Sequence, residues 1–325
     1  MTWLSSSVEG APGDEVLDGV EIVRRGSEAT TRLHGRKLAR RVRPDVVLEE
    51  INTLPYFAPL WSDAPVVLYM NQLAREVWWY EAPLPAAALG WLAEPLYLQV
   101  YRDCPAVTIS ASSRDDLRDL GLHREITLAP MAVDTQRVDQ PGPRPLTGRM
   151  VAIGRLTPSK RFDHAIEALR LLRDTRPDAS LTILGDGRER DALSALAVRL
   201  GVEDAVHLLG RVSESEKTAV LDESDVLVGT SAREGWGLTI TEAAARATPA
   251  VVYDIPGFRD AVVNGRTGIV VPPQPAALAA AVSDLVGDRA RYEALRTNAW
   301  RAVADVTHEA TASAFESALA AAVTP

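Results

Sequence analysis

Short apolar runs rich in β-branched residues alternate along this chain with longer stretches in which apolar positions recur every three or four residues. The first pattern predicts buried strands and the second amphipathic helices. Thr2-Trp-Leu-Ser5, Val20-Glu-Ile-Val23, Asp45-Val-Val-Leu-Glu49, Val66-Val-Leu-Tyr-Met70, Ala106-Val-Thr-Ile-Ser110 and Ile126-Thr-Leu128 make one strand series. Arg32 to Arg43 reads as a helix ended by Pro44. Asp139-Gln-Pro-Gly-Pro-Arg-Pro145 then reads as a linker, after which the rhythm restarts with strands at Met150–Ile153, Ser180–Leu184, Val206–Leu209, Asp225–Thr230, Ala250–Tyr253 and Gly268–Val271. Helices over Phe162–Arg173, Arg188–Leu200, Ser213–Leu221 and beyond Gln274 separate them. This alternation predicts two doubly wound parallel sheets, with ligands at the carboxyl ends of their strands. The expected divisions are a first domain over residues 1–140, a second over 146–303, and a final helix over 304–325 returning toward the first.

One segment breaks the pattern. Val77-Trp-Trp-Tyr80 is followed by Pro83, Pro85, Trp91, Pro95, Tyr97 and Tyr101. The prolines predict several pieces rather than one long helix. The aromatics fit packing under a loop, or a surface facing an acceptor or a membrane.

A chain of 325 residues and 35.1 kDa can bury two substantial cores. Its net charge of -9 and pI near 5.2 argue against a general nucleic-acid binder. Yet the segment from Arg24 to Arg43 carries eight basic residues against one acid, Glu28, which fits either a solvated helix face or contact with an anionic membrane. The one cysteine, Cys104, excludes an internal disulfide and fits a reducing cytosol. No apolar run is long enough to span a bilayer, and the start lacks a basic region followed by an apolar core. A cytoplasmic protein, soluble or peripheral at the inner face of a membrane, is the expectation.

The chemistry concentrates in Glu234-Gly-Trp-Gly-Leu-Thr-Ile-Thr-Glu242, between a predicted strand and the helix-forming Ala243-Ala-Ala-Arg-Ala247. The free N–H groups at such a turn suit a phosphate, and Gly235 and Gly237 let an anion approach the backbone. A carboxylate beside an anion site needs neutral hydroxyls to bind, which makes a sugar or ribose the natural partner of both glutamates. Thr239-Ile-Thr-Glu242 equally fits a capping box, in which Glu242 serves only the helix start. At the end of another strand, Gly154-Arg-Leu-Thr-Pro-Ser-Lys160 presents Arg155 and Lys160, suited to a phosphate; Lys160 is one of only three lysines. Gly185-Asp186-Gly187 closes the next strand. No Asp-x-Asp occurs, so no ligand pair is evident for a divalent ion on a diphosphate.

Taken in order, Gly154-Arg-Leu-x-x-x-Lys160, Gly185-Asp-Gly187, Leu209-Gly210, the Glu-x7-Glu of Glu234 and Glu242, and Asn264-Gly-x-Thr-Gly268 leading to Val271-Pro-Pro273 resemble the retaining glycosyltransferases of family 4. Asp18-Gly-Val, Pro44-Asp-Val-Val47, Ser110 and Pro130-x-x-Val-Asp134 extend the resemblance into the first half. It implies the GT-B fold, two Rossmann-like domains facing a central cleft. It also implies a nucleotide-diphosphate sugar as donor substrate, no separate cofactor and no metal. In that reading Arg155 and Lys160 hold the diphosphate, Glu234 the hydroxyls of the donor sugar, and Glu242 those of the ribose. The backbone from Gly235 through Trp236 and Gly237 to Leu238, with Gly154, Gly185 and Asp186, completes the donor site. The acceptor is unidentified, a lipid-linked molecule being one reading. Two departures stand out: the family's first strand with its glycine-rich loop has no counterpart, and Asn71 stands where relatives carry histidine. A missing central strand should leave a gap in the first sheet or force another strand to fill it, and asparagine cannot act as a base. An impaired copy or a nucleotide-sugar-binding subunit is therefore the alternative, with a sugar-nucleotide epimerase third.

Overall fold

The computed structural model describes residues 1–52 and 54–323. Three strands open the chain, β1 (Thr2–Ser5), β2 (Asp14–Leu17) and β3 (Val20–Arg24), in a small sheet of order β1-β3-β2 whose β2–β3 pair is antiparallel. Helix α1 (Arg32–Val42) stops where Arg43 turns to a φ of 51°, one residue before Pro44. A second sheet follows, parallel throughout, of order β4 (Val47–Glu50), β5 (Val66–Tyr69), β6 (Ala106–Thr108) and β7 (Ile126–Leu128). Between β5 and β6 lie α2 (Val77–Glu81) and α3 (Leu84–Leu98), and α4 (Ala111–Asp119) follows β6.

The first half is thus two sheets rather than one doubly wound sheet, and among the described residues no strand joins them. The segment from Val77 to Tyr101 is in pieces, as its prolines predict: α2, α3 and a 3-10 turn at Gln99–Tyr101, although α3 itself runs through Pro95. Pro85 sits in its first turn, where a backbone N–H has no helical acceptor, whereas Pro95 forfeits the one N–H that would reach the Trp91 carbonyl, a single bond in a 15-residue helix. The segment's aromatics divide between the two readings: Trp79 and Trp91 are 47% and 37% exposed, while Trp78 packs against Gly90 and Tyr101 is wholly buried, its hydroxyl donating to Glu49 and accepting from Phe57 N–H.

The second half is a single six-stranded parallel sheet of order β10-β9-β8-β11-β12-β13. Its elements in chain order are β8 (Arg149–Ile153), α5 (Phe162–Leu172), β9 (Ser180–Leu184), α6 (Arg190–Leu200), β10 (Val206–Gly210), α7 (Glu214–Glu223), β11 (Val226–Gly229), α8 (Leu238–Ala245), β12 (Ala250–Tyr253), α9 (Phe258–Ala261), β13 (Gly268–Val271), α10 (Pro275–Gly287) and α11 (Arg289–Ala302). Its central strands are apolar on both faces because helices cover both; Val151, Leu181, Val226 and Val251 are fully buried. The segment read as a linker is fastened to this half, with buried Arg144 donating to the carbonyls of Leu221 and Arg246 at 2.8 and 2.9 Å. Helix α12 (His308–Val323) crosses to the first half and packs on β5, β6 and β7, its Phe315 ring edge-on to Tyr69 at 4.9 Å.

Candidate functional site

Strand order reverses between β8 and β11, which are neighbours in the sheet although two strands separate them in sequence. In open α/β sheets the loops leaving such a switch point diverge and leave a crevice at the carboxyl edge. Here those loops are residues 154–161 and 230–237, and they are tied together. Thr230 donates its hydroxyl to the Lys160 carbonyl at 2.8 Å, Ala232 its N–H to the Ser159 carbonyl at 2.8 Å, and the Arg161 guanidinium binds the carbonyls of Thr230 and Ser231.

Across that junction Lys160 Nζ donates to Glu234 Oε1 at 2.5 Å, and Ser231 Oγ donates to the same oxygen at 2.6 Å. Glu234 Oε2 has no partner among the described residues. Glu242 repeats the arrangement eight residues on: its Oε1 accepts from Lys217 Nζ at 2.7 Å, while Oε2 has no partner among the described residues. Burial pushes the Glu242 carboxyl above the usual range, and the hydrogen bond and charge of Lys217 partly offset it. Helix α8 begins at Gly237, whose φ is 97°, with no side-chain cap, so Glu242 serves an ion pair rather than a capping box. Trp236 is fixed by its indole N–H on Thr241 Oγ1 at 2.9 Å, and Leu238, 39% exposed, opens the helix.

Two glycines have a steric reason. A Cβ on Gly235 would stand 2.7 Å from the Asn71 carbonyl oxygen of the first half, so only glycine admits this approach of the two halves. A Cβ on Gly185, whose φ is 132°, would stand 1.9 Å from the Gly154 carbonyl oxygen. Gly154 and Gly185 therefore stack the loops after β8 and β9 against each other. Asp186 is exposed, its Oδ1 accepting from the N–H of Gly187 at 2.9 Å. The Arg155 side chain is exposed at the rim without a partner among the described residues. The structure brings Lys160, Glu234 and the 235–238 backbone together; Glu242 lies one helical segment on, with Lys217.

The cleft is roofed by α2 of the first half. Glu81 accepts from Ser159 Oγ at 2.5 Å, from Ser159 N–H at 3.4 Å and from Arg188 at 3.1 Å. Burial works against ionisation of Glu81, but the hydrogen bonds of Ser159 and Thr157 and the charge of Arg188 outweigh it and hold the carboxyl below its usual range. Buried Arg233 reaches back to Glu76 at 2.9 Å and to Asp116. Between the halves remains a cavity of about 410 Å³ lined by Glu76, Trp79 and Tyr80 on one side and Arg161, Ala232, Ile255 and Pro273 on the other. A smaller cavity, about 200 Å³, sits by Arg149 and Ser180 at the amino ends of β8 and β9, away from these residues.

Sequence reasoning missed Lys217, Ser231, Glu81 and Arg233. Only Lys217 carried a signal, as another of the few lysines. Among the described residues no group of three or more His, Cys, Asp or Glu is gathered that could hold a metal ion, and no helix is long and apolar enough to cross a membrane. His164 hydrogen-bonds Tyr253 Oη at 3.0 Å, and His207 is exposed on the edge strand β10.

A two-part α/β chain with a divided first sheet, a doubly wound second sheet and a cleft between them has the GT-B architecture. It superposes on sucrose-phosphate synthase from Thermosynechococcus elongatus with a TM-score of 0.77 at 18% identity, over 96% of this chain and 86% of that one. Anabaena HepE, solved in complex with UDP and glucose, gives 0.71 at 18% identity over 92% and 85%. Residues 140–301 match the family described as glycosyl transferases group 1, and the C-terminal half of the chain is a member of it. Glycogen synthase of Mycobacterium tuberculosis is 36% identical over 241 residues, 67% of this chain and 58% of that protein, so the chain spans little more than half the length of that relative.

Proposed function

We propose that this protein is a retaining glycosyltransferase of the family 4 type, moving a hexose from a nucleotide-diphosphate sugar to an acceptor without a metal ion. The observation that carries the reading is the Lys160–Glu234 pair astride the switch point, repeated by Lys217 and Glu242: each carboxylate commits one oxygen to a lysine and keeps the other for a ligand hydroxyl. Lys160 has three N–H donors, so it binds Glu234 and still has hydrogens for a diphosphate oxygen. Arg155, exposed and unpaired, supplies the second positive group, and the N–H groups at the start of α8 a third. Glu234 then holds the sugar and Glu242 the ribose. The departing phosphate takes the acceptor proton while the sugar passes through an oxocarbenium-like state, and attack on the face the phosphate leaves retains the anomeric configuration. The relatives support such a donor: one is a glycogen synthase, and HepE was solved with UDP and glucose. We place the protein in the cytoplasm, at the inner face of a membrane.

Asn71 favours a second reading. Its Oδ1 is buried without a hydrogen-bond partner and accepts from a hydroxyl without being able to take its proton, as suits a nucleotide-sugar-binding subunit. A panel of nucleotide-diphosphate sugars in the presence of chelator separates the two. Release of nucleotide that falls by about a hundredfold in Glu234→Ala, equivalent to about 2.7 kcal/mol at the transition state, supports the transferase. Donor binding with no turnover supports the subunit, and turnover unchanged by Glu234→Ala refutes the assigned site.

A further inference from the structure

Helix α3 is a surface with no counterpart inside the protein. Of its 15 residues only Glu94 is acidic or basic, and that carboxylate is wholly buried, accepting from the N–H groups of Ala74 and Arg75 at 2.6 and 2.8 Å. Outward stand Leu84, Leu89, Leu92 and Leu96, 76%, 69%, 58% and 72% exposed. Scattered apolar residues on a surface are ordinary; a helix whose exposed positions are Leu, Pro, Ala and Trp is not.

Three observations say what covers it. Trp91, 37% exposed, stands on the same helix, and the Arg75 guanidinium lies 4.8 Å from its ring centroid; an aromatic ring with one wet end, beside a cation, suits the boundary between hydrocarbon and headgroups. The C-terminal end of α3 leads to Tyr101, whose hydroxyl accepts from Phe57 N–H, and the same 56–61 turn packs Tyr56 and Trp61 on Gly35 of α1. Through that turn α1 is linked to the C-terminal end of α3, and its Arg36, Lys37, Arg40 and Arg43 are exposed without partners among the described residues, although the chain as a whole is acidic. Charge complementarity thus points to an anionic surface. Area points away from a second copy of the chain: one face of a 15-residue helix, about 22 Å long and about 10 Å wide, offers about 220 Å², against about 800 Å² per partner in a stable protein interface.

We propose that the outward face of α3 docks on an anionic lipid bilayer, with the cations of α1 among the headgroups. Because α2, joined directly to α3, roofs the cleft, docking sets the mouth of the cleft at the membrane, where an acceptor carried on a lipid presents its headgroup; this last step rests on the transferase reading.

Flotation with vesicles tests it. Wild-type protein rises with vesicles of equal parts phosphatidylglycerol and phosphatidylcholine at low salt. The doubly substituted Leu89→Glu/Leu96→Glu binds them about tenfold less or weaker still. Arg36→Glu/Arg40→Glu loses binding to the mixed vesicles only, with no change on pure phosphatidylcholine. All these positions are exposed, so thermal midpoints stay unchanged and report folding. Wild type left at the bottom of the gradient, or a leucine variant that floats as well as wild type, overturns the proposal; so does a wild-type dimer in sedimentation that the leucine variant dissociates. Calorimetric binding of UDP, measured on the same proteins, keeps the two readings apart. Wild type that binds UDP but does not float sinks the membrane inference alone, and wild type that floats but does not bind UDP sinks the transferase reading alone.

Discussion

Replacing Lys217 by methionine keeps the length of the side chain and removes its charge, and with it the pair to Glu242 and the pair to the largely exposed Glu214 at 2.8 Å, of which the buried one dominates. The Lys217 and Glu242 side chains are 12% and 15% exposed, so the pair lies mostly out of water without being sealed from it. Breaking a fully buried pair costs about 3–5 kcal/mol; with this residual exposure about 2 kcal/mol is expected. The sign with pH follows from the direction of the shift. Burial already raises the Glu242 carboxyl above its ordinary 4.5, so its favourable contribution is complete at low pH and is lost as pH rises through the raised value. Removing Lys217 deletes the two influences that hold the value down and moves it further up. The methionine variant therefore carries a protonated Glu242 at pH values where the wild type has a carboxylate.

The consequence for binding is measurable. A ribose hydroxyl donating to a charged acceptor contributes about 1.5–3 kcal/mol, so Glu242→Ala weakens binding of UDP by about 10- to 150-fold. Lys217→Met weakens it less at the alkaline end, and approaches the alanine variant as pH falls and Glu242 takes up its proton. Titration calorimetry on wild type, both single variants and the double variant gives the coupling directly, expected at about 1 kcal/mol or more for groups in contact. Additive losses, with a Lys217→Met affinity flat in pH, would show that the lysine does not act through Glu242.

Gly185→Ala places a methyl group 1.9 Å from the Gly154 carbonyl oxygen and is expected to destabilise the fold by about 3 kcal/mol or more; an unchanged thermal midpoint refutes the packing role of this turn. Burial, with the nearby charges of Glu49 and Asp103, pushes the Cys104 thiol from its ordinary 9.0 up to about 11. The native protein should react with a thiol reagent at mildly alkaline pH about a hundredfold more slowly than the unfolded chain, and equal rates refute the burial. Lys160→Arg keeps the charge yet is expected to lower turnover at least about tenfold with little effect on stability, because a guanidinium takes both oxygens of a carboxylate; steady-state kinetics at unchanged melting temperature checks it.

Local pattern made most of the second half legible. Six apolar runs became β8 to β13; the inner strands β8, β11 and β12 are buried between helices with no polar face to blur the period, and even the edge strand β10 kept enough apolar residues to read. The glycine and glutamate at 234–235 were legible for the same reason: a strand end, a turn and a helix start are all local. What escaped depends on distance along the chain. Lys160 and Glu234 are 74 residues apart and Ser159 and Glu81 are 78 apart, and neither separation leaves a trace in the hydrophobic period. Helix α3 escaped for another reason. Its prolines pointed rightly to a break, which falls between α2 and α3, but not to its place, since Pro85 in a first turn removes no helical bond and Pro95 removes only one.

The choice of lysine ties these points together. The chain meets nearly every other need for a cation with arginine: Arg144 and Arg296 in the core, Arg233 across the cleft, Arg161 between the two loops. At the two carboxylates of the Glu-x7-Glu pair it uses two of its three lysines. An ammonium is a point donor that satisfies one oxygen and leaves its neighbour open, whereas the planar fork of arginine closes over both. A site meant only to hold its loops together would gain from the fork. A site whose glutamates must be held still and yet accept hydroxyls from a ligand needs the smaller cation, and that is the arrangement found at both positions.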